Sequence, residues 1–285
     1  MGIAFHELKF IRLIASRGAL GDVLTLARQN INMPVQQLTK EFGGRLQIED
    51  LTYCEQLLTA KLGAKSVKSV DNSDYEGATY VADLNEEISL GRQFDTILDL
   101  GTTEHVFDAP AVFRNVIRHC RIGGRIVHSL PSNSECGHGF YQFSPELFFS
   151  LYSEANGFAD TQVYIADMMN HRRWYRVAAP RDGHRVMANA LSSTYILCVT
   201  TKVSDVAKLA VQQSDYVRAW DVGSIDRKIE RPLIERMRTM LMGSRLAGPG
   251  NRLYRTWLAR TGLTRFNPDL TSVVIASLVP PDPGP

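Results

Sequence analysis

The chain has 285 residues, of which 44% are hydrophobic and 22% charged, so it has enough apolar residues for a sizeable core. The formal net charge of +2 gives no reason to expect a nucleic-acid partner. No apolar run is long enough to span a membrane, the N-terminus lacks the apolar core of a signal peptide, and the four cysteines form no CxxC pair. We therefore expect a cytoplasmic globular protein.

The first part of the chain predicts a helix, a strand and two further helices. Residues 4–16 carry apolar side chains on one side and predict an amphipathic helix that packs on a sheet or covers a pocket. Residues 22–26 predict the first strand, and residues 27–30 form the loop at its carboxyl end. Two helices are predicted for residues 35–42 and 51–62.

Two acidic residues follow the next apolar stretches. Residues 66–70 predict a strand that ends at Asp71, and residues 80–82 form an apolar stretch that ends at Asp83. The connection between them is short, whereas a parallel crossover needs about a dozen or more residues. Either the usual helix is missing here, or the two strands are not parallel neighbours. Asp71 also lies in a turn-rich run, so its carboxylate could serve a turn instead of a ligand.

Residues 94–131 predict a complete strand–helix–strand unit. Residues 96–100 form a short apolar strand, and Gly101 allows the backbone to turn at its end. The following loop carries three titratable residues: Glu104, His105 and Asp108. Because ligands of open parallel sheets bind at the carboxyl ends of the strands, this loop is a candidate site.

The second half of this unit has clear boundary signals. Pro110 suits the first turn of a helix, where its missing N–H costs nothing. Gly123-Gly124 is predicted to end that helix, and residues 126–130 predict the next strand. The loop after that strand contains His138 between two glycines, which indicates a mobile or tightly turned segment.

Ser144 and Pro145 predict the start of another helix, which Gly157 should end. Three aromatic residues precede it: Phe140, Tyr141 and Phe143. They could form a hydrophobic plug, or they could attract a cationic group through their ring faces.

Residues 161–165 and 193–200 predict two further strands, which we expect to form an antiparallel pair. The insertion between them contains Trp174, Tyr175 and a set of basic residues: His171, Arg172, Arg173, Arg176, Arg181, His184 and Arg185. It could receive an anionic substrate, or it could be a solvated loop. We divide the chain into a domain of residues 1–202 and a helical extension of residues 203–285, with an added strand within residues 271–279 and a disordered tail.

The segments FDTILDLGTTEHV and RHCRIGGRIVHSLP resemble class I S-adenosylmethionine-dependent methyltransferases of the small-molecule branch. In that family the fourth strand runs into a loop that often ends in Glu-His-Val, and a helix and a Gly-Gly turn lead into the fifth strand. The resemblance covers roughly residues 21–202 and implies an α/β fold with a doubly wound, mostly parallel Rossmann-like sheet that ends in an antiparallel pair. The first loop departs from the family pattern, because TLARQN has no glycine where the family loop is glycine-rich.

The resemblance implies S-adenosyl-L-methionine as the cofactor and suggests which residues bind it. Asp71 corresponds to the acidic residue that contacts ribose, and Asp83 to the one beside adenine. The cofactor-binding candidates are Thr25, Ala27, Arg28, Gln29, Asp71, Asp83, Leu100 and Gly101. Arg28 could bind the carboxylate of the cofactor, or Arg28 and Gln29 could be exposed loop residues.

The implied activity is methyl transfer to a small-molecule or sugar-type acceptor, with no metal and no nucleic-acid partner. His105 is the first candidate for a general base, because it lies on the loop and titrates near neutrality. Glu104 or Asp108 could orient its ring and raise its pKa, and His138 is the second candidate. The alternative is a non-catalytic protein of this fold that has lost cofactor binding and serves as a binding or assembly module. A nucleotide-dependent oxidoreductase is disfavoured, because no GxGxxG follows the first strand.

Overall fold

The computed structural model describes residues 2–44, 46–180, 186–216, 262–264 and 267–279. The strands are β1 (Gly2–Ile3), β2 (Gly21–Leu26), β3 (Asn30–Ile31), β4 (Ala64–Asp71), β5 (Tyr80–Val81), β6 (Phe94–Leu100), β7 (Cys120–Asn133), β8 (Phe158–Asp167), β9 (Arg173–Val177), β10 (Thr194–Lys202) and β11 (Leu270–Val274). The helices are α1 (Phe5–Ala15), α2 (Val35–Glu41), α3 (Glu55–Lys61), α4 (Ala109–His119), α5 (Pro145–Leu151) and α6 (Ile275–Leu278). None of the described helices is long and apolar enough to cross a membrane.

Nine strands form one sheet in the order β11-β9-β8-β10-β7-β6-β2-β4-β5. From β5 to β7 all neighbours are parallel, and from β7 to β11 all neighbours are antiparallel. Numbered along the chain, the five parallel strands have the order 3-2-1-4-5 of a doubly wound sheet, which reverses between β2 and β6. The expected Rossmann-like fold class is therefore confirmed, and the antiparallel pair of β8 and β10 is present.

Successive side chains of a strand point to opposite faces of the sheet, and here both faces carry apolar side chains. Helices cover both faces. Leu98 and Val127 pack in one hydrophobic cluster with the apolar side chains of α1 and α3. Ile97 and Ile126, one position earlier on the same strands, pack in the other cluster with α4 and α5. The sheet is therefore buried on both sides, and its carboxyl edge is where loops can present polar groups.

The short connection after Asp71 has a simple geometric explanation. Strand β5 pairs in parallel with β4, but only through Val70 with Tyr80 and Asp71 with Val81. Since β5 pairs only with the last two residues of β4, the chain does not have to return along the whole strand, and the connection contains no helix. The first of the two alternatives from the sequence is therefore correct.

Three predicted helix boundaries are wrong. Helix α5 ends at Leu151, and Gly157 instead caps a separate 3-10 turn, Glu154–Asn156. Helix α3 begins at Glu55 instead of residue 51, because Tyr53 bridges to Asn30 and the N–H of Cys54 donates to the carbonyl oxygen of Gln29 at 2.9 Å. Helix α4 ends at His119, before Gly123-Gly124. Its last carbonyl groups are satisfied by a lysine instead, since the buried Nζ of Lys202 donates to the carbonyl oxygens of Ile117 and Cys120 at 2.9 Å each.

The basic insertion contains a strand that the sequence did not predict. Strand β9 continues the sheet between β8 and β11, and the Trp174 ring is fully buried. Trp174 Nε1 donates to His6 Nδ1 at 2.9 Å, which ties the insertion to α1. This part of the insertion is therefore a strand of the sheet and not a solvated loop. Arg181, His184 and Arg185 lie outside the described residues.

The C-terminal part of the chain returns to the sheet. The added strand is β11, which ends at Val274 and is followed by the short helix α6. Residues 203–213 of the predicted helical extension are described and form no helix. Residues 217–261 and the tail after residue 279 lie outside the described residues. Three free cysteines, Cys54, Cys120 and Cys198, are buried, whereas Cys136 is exposed.

Candidate functional site

The carboxyl ends of β2, β4 and β6 bring most of the predicted site residues to one edge of the sheet. The sheet order reverses between β2 and β6, which is the position where doubly wound proteins bind their ligands. The loop after β2 begins at Ala27, β4 ends at Asp71, and a single turn of 3-10 helix, Thr103–His105, follows β6. The site is therefore built from three loops on neighbouring strands.

Ala27 adopts a left-handed backbone conformation, with φ of 54°. A residue with a Cβ atom rarely adopts this conformation, which costs about 1–2 kcal/mol. The loop nevertheless holds it, since the Ala27 N–H donates to the carbonyl oxygen of Val70 at 2.8 Å and Thr25 Oγ1 donates to the carbonyl oxygen of Ala27 at 2.8 Å. Thr25 thus stabilises the turn that a glycine would adopt freely.

Arg28 is turned away from the strand ends. Its Nε donates to Glu55 Oε1 at 2.7 Å and an NH1 donates to the carbonyl oxygen of Glu76 at 2.6 Å. The guanidinium carbon lies 3.9 Å from the centre of the Tyr53 ring. Two of its guanidinium nitrogens thus have partners within the protein, so Arg28 is not a free surface side chain.

Gln29 is fully buried in the crevice between β2 and β6. Its Nε2 donates to the carbonyl oxygen of Leu26 at 2.5 Å and lies 3.4 Å from Thr102 Oγ1. Thr102 Oγ1 itself donates to the same carbonyl oxygen at 2.9 Å. Gln29 Oε1 has no hydrogen-bond partner among the described residues. The Gln29 side chain therefore lies next to the point where the strand order reverses, and its Oε1 is an acceptor without a hydrogen bond.

The two acidic candidates are in different environments. Asp71 is half-buried at the end of β4, and its Oδ1 accepts a hydrogen bond of 2.7 Å from the N–H of Asn72. Asp83 is exposed and accepts from the backbone and side chain of Asn85 at 2.9 and 2.8 Å; these bonds lower the pKa of Asp83. Leu100 is buried, and Gly101 turns the chain with φ of 83°.

Glu104, His105 and His138 come together, although 33 residues separate the two histidines in sequence. One donor atom from each lies within 4.8 Å of the others. His138 Nε2 is 3.4 Å from Glu104 Oε1, and the two imidazole rings are 4.8 Å apart. Glu104 is fully buried, and neither of its carboxylate oxygens has a hydrogen-bond partner among the described residues. The 3.4 Å contact is thus a close approach without hydrogen-bond geometry.

Burial dominates the electrostatics of this cluster. It raises the pKa of Glu104 to about 8, with a smaller contribution from the nearby charge of Asp99. Burial also lowers the pKa of His105, and His138 lowers it further. The expectation of a raised pKa for His105 is therefore wrong, because burial and the neighbouring imidazole both disfavour the protonated ring and Asp108 is not its partner. Asp108 caps helix α4 instead, where its Oδ1 accepts from the N–H of Ala111 at 2.9 Å.

Sequence reasoning missed a buried hydrogen-bond network below this cluster. Asp99 Oδ2 accepts from Thr103 Oγ1 at 2.5 Å and from His128 Nδ1 at 2.8 Å, and His128 Nε2 is 2.6 Å from the Tyr152 hydroxyl. Asp99, Thr103 and His128 are fully buried. The signal was present in the sequence, since Asp99 and His128 are titratable residues within the predicted strands 96–100 and 126–130. The network fixes the loop that carries Glu104.

No protein-family model matches the chain, and no curated protein matches it by sequence. Several solved structures are similar to it. The N-methyltransferase NodS from Bradyrhizobium japonicum, in complex with S-adenosylhomocysteine, is 12% identical, with 69% of this chain and 85% of that chain covered and a TM-score of 0.37. A complex of DhpI with the same ligand is 16% identical, with coverages of 68% and 83% and a TM-score of 0.36.

A third similar structure is the Haemonchus contortus phosphoethanolamine N-methyltransferase 2, with phosphomonomethylethanolamine and S-adenosylhomocysteine. It is 13% identical, 69% of this chain and 53% of that chain are covered, and the TM-score is 0.40. All three likenesses are distant. The class of the protein follows from its own strand order: a doubly wound α/β protein whose sheet continues into an antiparallel half.

Proposed function

We propose that the protein transfers a methyl group from S-adenosyl-L-methionine to a small-molecule or sugar-type acceptor. One observation carries this proposal. Asp71 and the Glu104–His105–His138 cluster lie at the same carboxyl edge of the sheet, on either side of the point where the strand order reverses. Methyl transfer requires mainly that a nucleophile is aligned with an activated methyl group. Polar side chains at the ends of neighbouring strands can hold the two reactants in that alignment.

The ribose end of the proposed cofactor site fits the cofactor. Asp71 has one oxygen, Oδ1, bonded to the N–H of Asn72, and as a carboxylate it can accept further bonds from ribose hydroxyls. Asp83 lies beyond β5 on the next loop, where the adenine end would lie in this proposal. Leu100 and Gly101 would form the floor between the two ends.

The methionine end fits less well. Gln29 fills the crevice, Arg28 is held by Glu55, and Ala27 brings a Cβ atom to the closest turn. For the cofactor to bind in full length, the Gln29 side chain has to leave the Leu26 carbonyl group. Its unsatisfied Oε1 makes this exchange easier, because the buried state of the amide is incompletely hydrogen-bonded.

In this proposal the acceptor side is formed by the residues that follow β6 and β7. S-adenosyl-L-methionine, when bound, supplies the methyl group. His105 is exposed, so an acceptor can approach its ring, and the ring can take a proton from a hydroxyl or an ammonium group. His138 lies beside it and is partly exposed, so it can orient the acceptor, whereas Glu104 is fully buried.

The alternative function is a binding or assembly module that has lost the cofactor. The filled crevice at Gln29 and the internal partners of Arg28 favour it specifically. Calorimetric titration of the full chain with S-adenosylhomocysteine separates the two functions. Binding with one ligand per chain supports methyl transfer, and the absence of binding at millimolar ligand favours the module.

A further inference from the structure

We infer that Glu104, His105 and His138 form a binding site for a divalent transition-metal ion of the zinc type. The donor atoms of the three side chains lie within 4.8 Å of one another, and the structure places them at the meeting point of two loops. This inference reverses the expectation that the protein has no metal site. It does not depend on cofactor binding, since the ion would bind whether or not the cofactor does. A His105 ring that ligates the ion has no lone pair left to accept a proton, so in the metal-bound protein His105 is a ligand and not the general base.

The spacing of two of the donors is that of ligands on one ion. His138 Nε2 and Glu104 Oε1 are 3.4 Å apart without hydrogen-bond geometry between them. Zinc binds imidazole nitrogen and carboxylate oxygen at about 2.0–2.2 Å, so two ligands of a tetrahedral ion lie about 3.3–3.5 Å apart. The ring of His105, whose centre is 4.8 Å from that of His138, can provide the third donor through a small rotation.

The state of Glu104 is the second and independent observation. The residue has no exposed surface, and both carboxylate oxygens lack hydrogen-bond partners among the described residues. A buried carboxyl group without partners is costly, and buried charges in proteins are normally paired or coordinate metals. A cation between Glu104 and the two imidazoles would satisfy the group.

The backbone holds the two loops together at this point. The N–H of Phe140 donates to the carbonyl oxygen of Glu104 at 2.7 Å. Gly139 has φ of 68°, and a Cβ atom at this position would lie 2.7 Å from the same carbonyl oxygen. The close contact between residue 139 and the Glu104 carbonyl oxygen therefore requires glycine. This contact holds His138 beside Glu104 before any ligand binds.

The donor set selects the class of ion. Two imidazoles and one carboxylate suit zinc and neighbouring transition metals, and three protein ligands leave a coordination position open for a water or a substrate. Magnesium and calcium prefer sites made of oxygen ligands, so they should bind weakly here. The open position lies at the carboxyl edge of the sheet, so an acceptor with a hydroxyl, amine or carboxylate group could occupy it.

The test is a zinc titration of the full chain, purified without a histidine tag and freed of metal with a chelator. We expect one zinc ion per chain, and cobalt substituted at the same site should give the visible absorption of a tetrahedral ion. Glu104→Gln and His138→Gln should each weaken zinc binding more than about 100-fold, because even outer-shell substitutions commonly cost 10–100-fold. His105→Ala provides a third variant whose exposed side chain makes little contribution to folding.

Two matched controls exclude other zinc ligands. Cys136→Ser removes an exposed thiol from the loop that carries His138, and His171→Ala removes an exposed imidazole far along the chain. Both should keep the parental affinity, and melting curves without metal should show that every variant is folded. Parental zinc affinity in folded Glu104→Gln and His138→Gln proteins would overturn the inference, as would a loss of binding in the Cys136→Ser protein. The same result would leave the proposed methyl transfer untouched, since S-adenosylhomocysteine binding is measured separately.

Discussion

Gln29 Nε2 donates a hydrogen bond of 2.5 Å to the carbonyl oxygen of Leu26, so the side chain folds back onto the end of the strand that precedes it. The result is a crevice filled by the protein's own amide at the point where the sheet order reverses. An equivalent loop of glycines would leave that space open, because glycine has no side chain. The affinity for a cofactor therefore depends on the free energy that is needed to move the Gln29 side chain out of the crevice.

Replacing Gln29 by alanine should increase the affinity for S-adenosylhomocysteine about 3-fold to 10-fold. The gain corresponds to about 0.5–1.5 kcal/mol, the net value of a buried hydrogen bond that no longer has to be broken. Calorimetric titration measures it. Gln36→Ala, on the exposed side of α2, is the control and should leave the affinity unchanged. An unchanged affinity in Gln29→Ala would show that the side chain does not compete with the ligand.

Asp71→Ala should weaken binding of S-adenosylhomocysteine by about 1.5–3 kcal/mol, the value of a hydrogen bond to a charged group. The matched control is Asp74→Ala, an exposed aspartate three residues further along the same connection. Titrations of the two variants under identical conditions compare them directly. Equal affinities for both would remove Asp71 from the ribose site.

His105→Ala should lower turnover about 10²-fold to 10⁴-fold, the usual contribution of a general base. Because the His105 ring is exposed, the melting temperature should change little, and cofactor binding should remain. Turnover and melting temperature are measured on the same preparation. A folded variant with parental turnover would contradict the role of His105, whereas a lower melting temperature with normal turnover would identify it as a residue that ties the loop to the helix.

Lys202→Met should destabilise the protein by roughly 2–4 kcal/mol, because the carbonyl groups of Ile117 and Cys120 would lose their buried donor. Lys202 is 1% exposed, so water cannot replace the ammonium group without a local opening. Urea unfolding measures the free energy of unfolding. Lys208→Met, an exposed position six residues later, should change it by less than about 0.5 kcal/mol. Similar values for both variants would mean that the end of α4 does not depend on Lys202.

The free energy of unfolding should fall as the pH decreases from about 6.5 towards 4, partly because of His6. Burial, and then the charge of His171, lower the pKa of His6 from 6.5 to about 4. In this pH range the unfolded chain binds a proton that the folded protein does not, so acid favours unfolding, by up to about 1.4 kcal/mol per pH unit. At higher pH both states are neutral, and this contribution to stability is fully present.

Urea unfolding of the parent and of His6→Gln at about pH 7 and pH 5 measures this contribution. Glutamine retains an acceptor for Trp174 Nε1, which donates to His6 Nδ1 in the parent. The parent should lose more stability than the variant between the two pH values, by about 2 kcal/mol. Parallel losses in the two proteins would assign the acid sensitivity to other groups.

Local signals in the sequence were sufficient for the central unit of the fold. Strand β6, the proline at the start of α4 and residues 126–130 of β7 were all predicted from one continuous segment, whereas the helix cap Asp108 was not. Strand β9 was missed because it has no clean alternation: Trp174 packs in the cluster with α1, whereas Tyr175 and Val177 pack in the opposite cluster. The exposed side chains of Arg173 and Arg176 suggested a loop. The buried face of that strand depends on α1, which is far away in sequence.

The site was only partly predictable for a related reason. Glu104 and His105 follow a recognisable strand, so their position at the carboxyl edge could be inferred. The internal partners of Arg28 and Gln29 could not, since Glu55 lies 27 residues away and Thr102 lies 73 residues away. The pKa of His105 was predicted in the wrong direction because its neighbours in sequence were taken for its neighbours in space.

Strand β11 is joined to the rest of the sheet by its backbone pairing with β9, from Leu270 to Val274. The helix that follows it buries Ile275 and Val279 in the same cluster as α1. If a peptide bond between β10 and β11 were cleaved, the C-terminal fragment would thus remain bound to β9 and to the cluster around α1 without a covalent link. Two fragments of the chain, expressed separately and divided in that interval, should reassemble into one particle, and omission of the smaller fragment should leave β9 as an unprotected edge that recruits other chains.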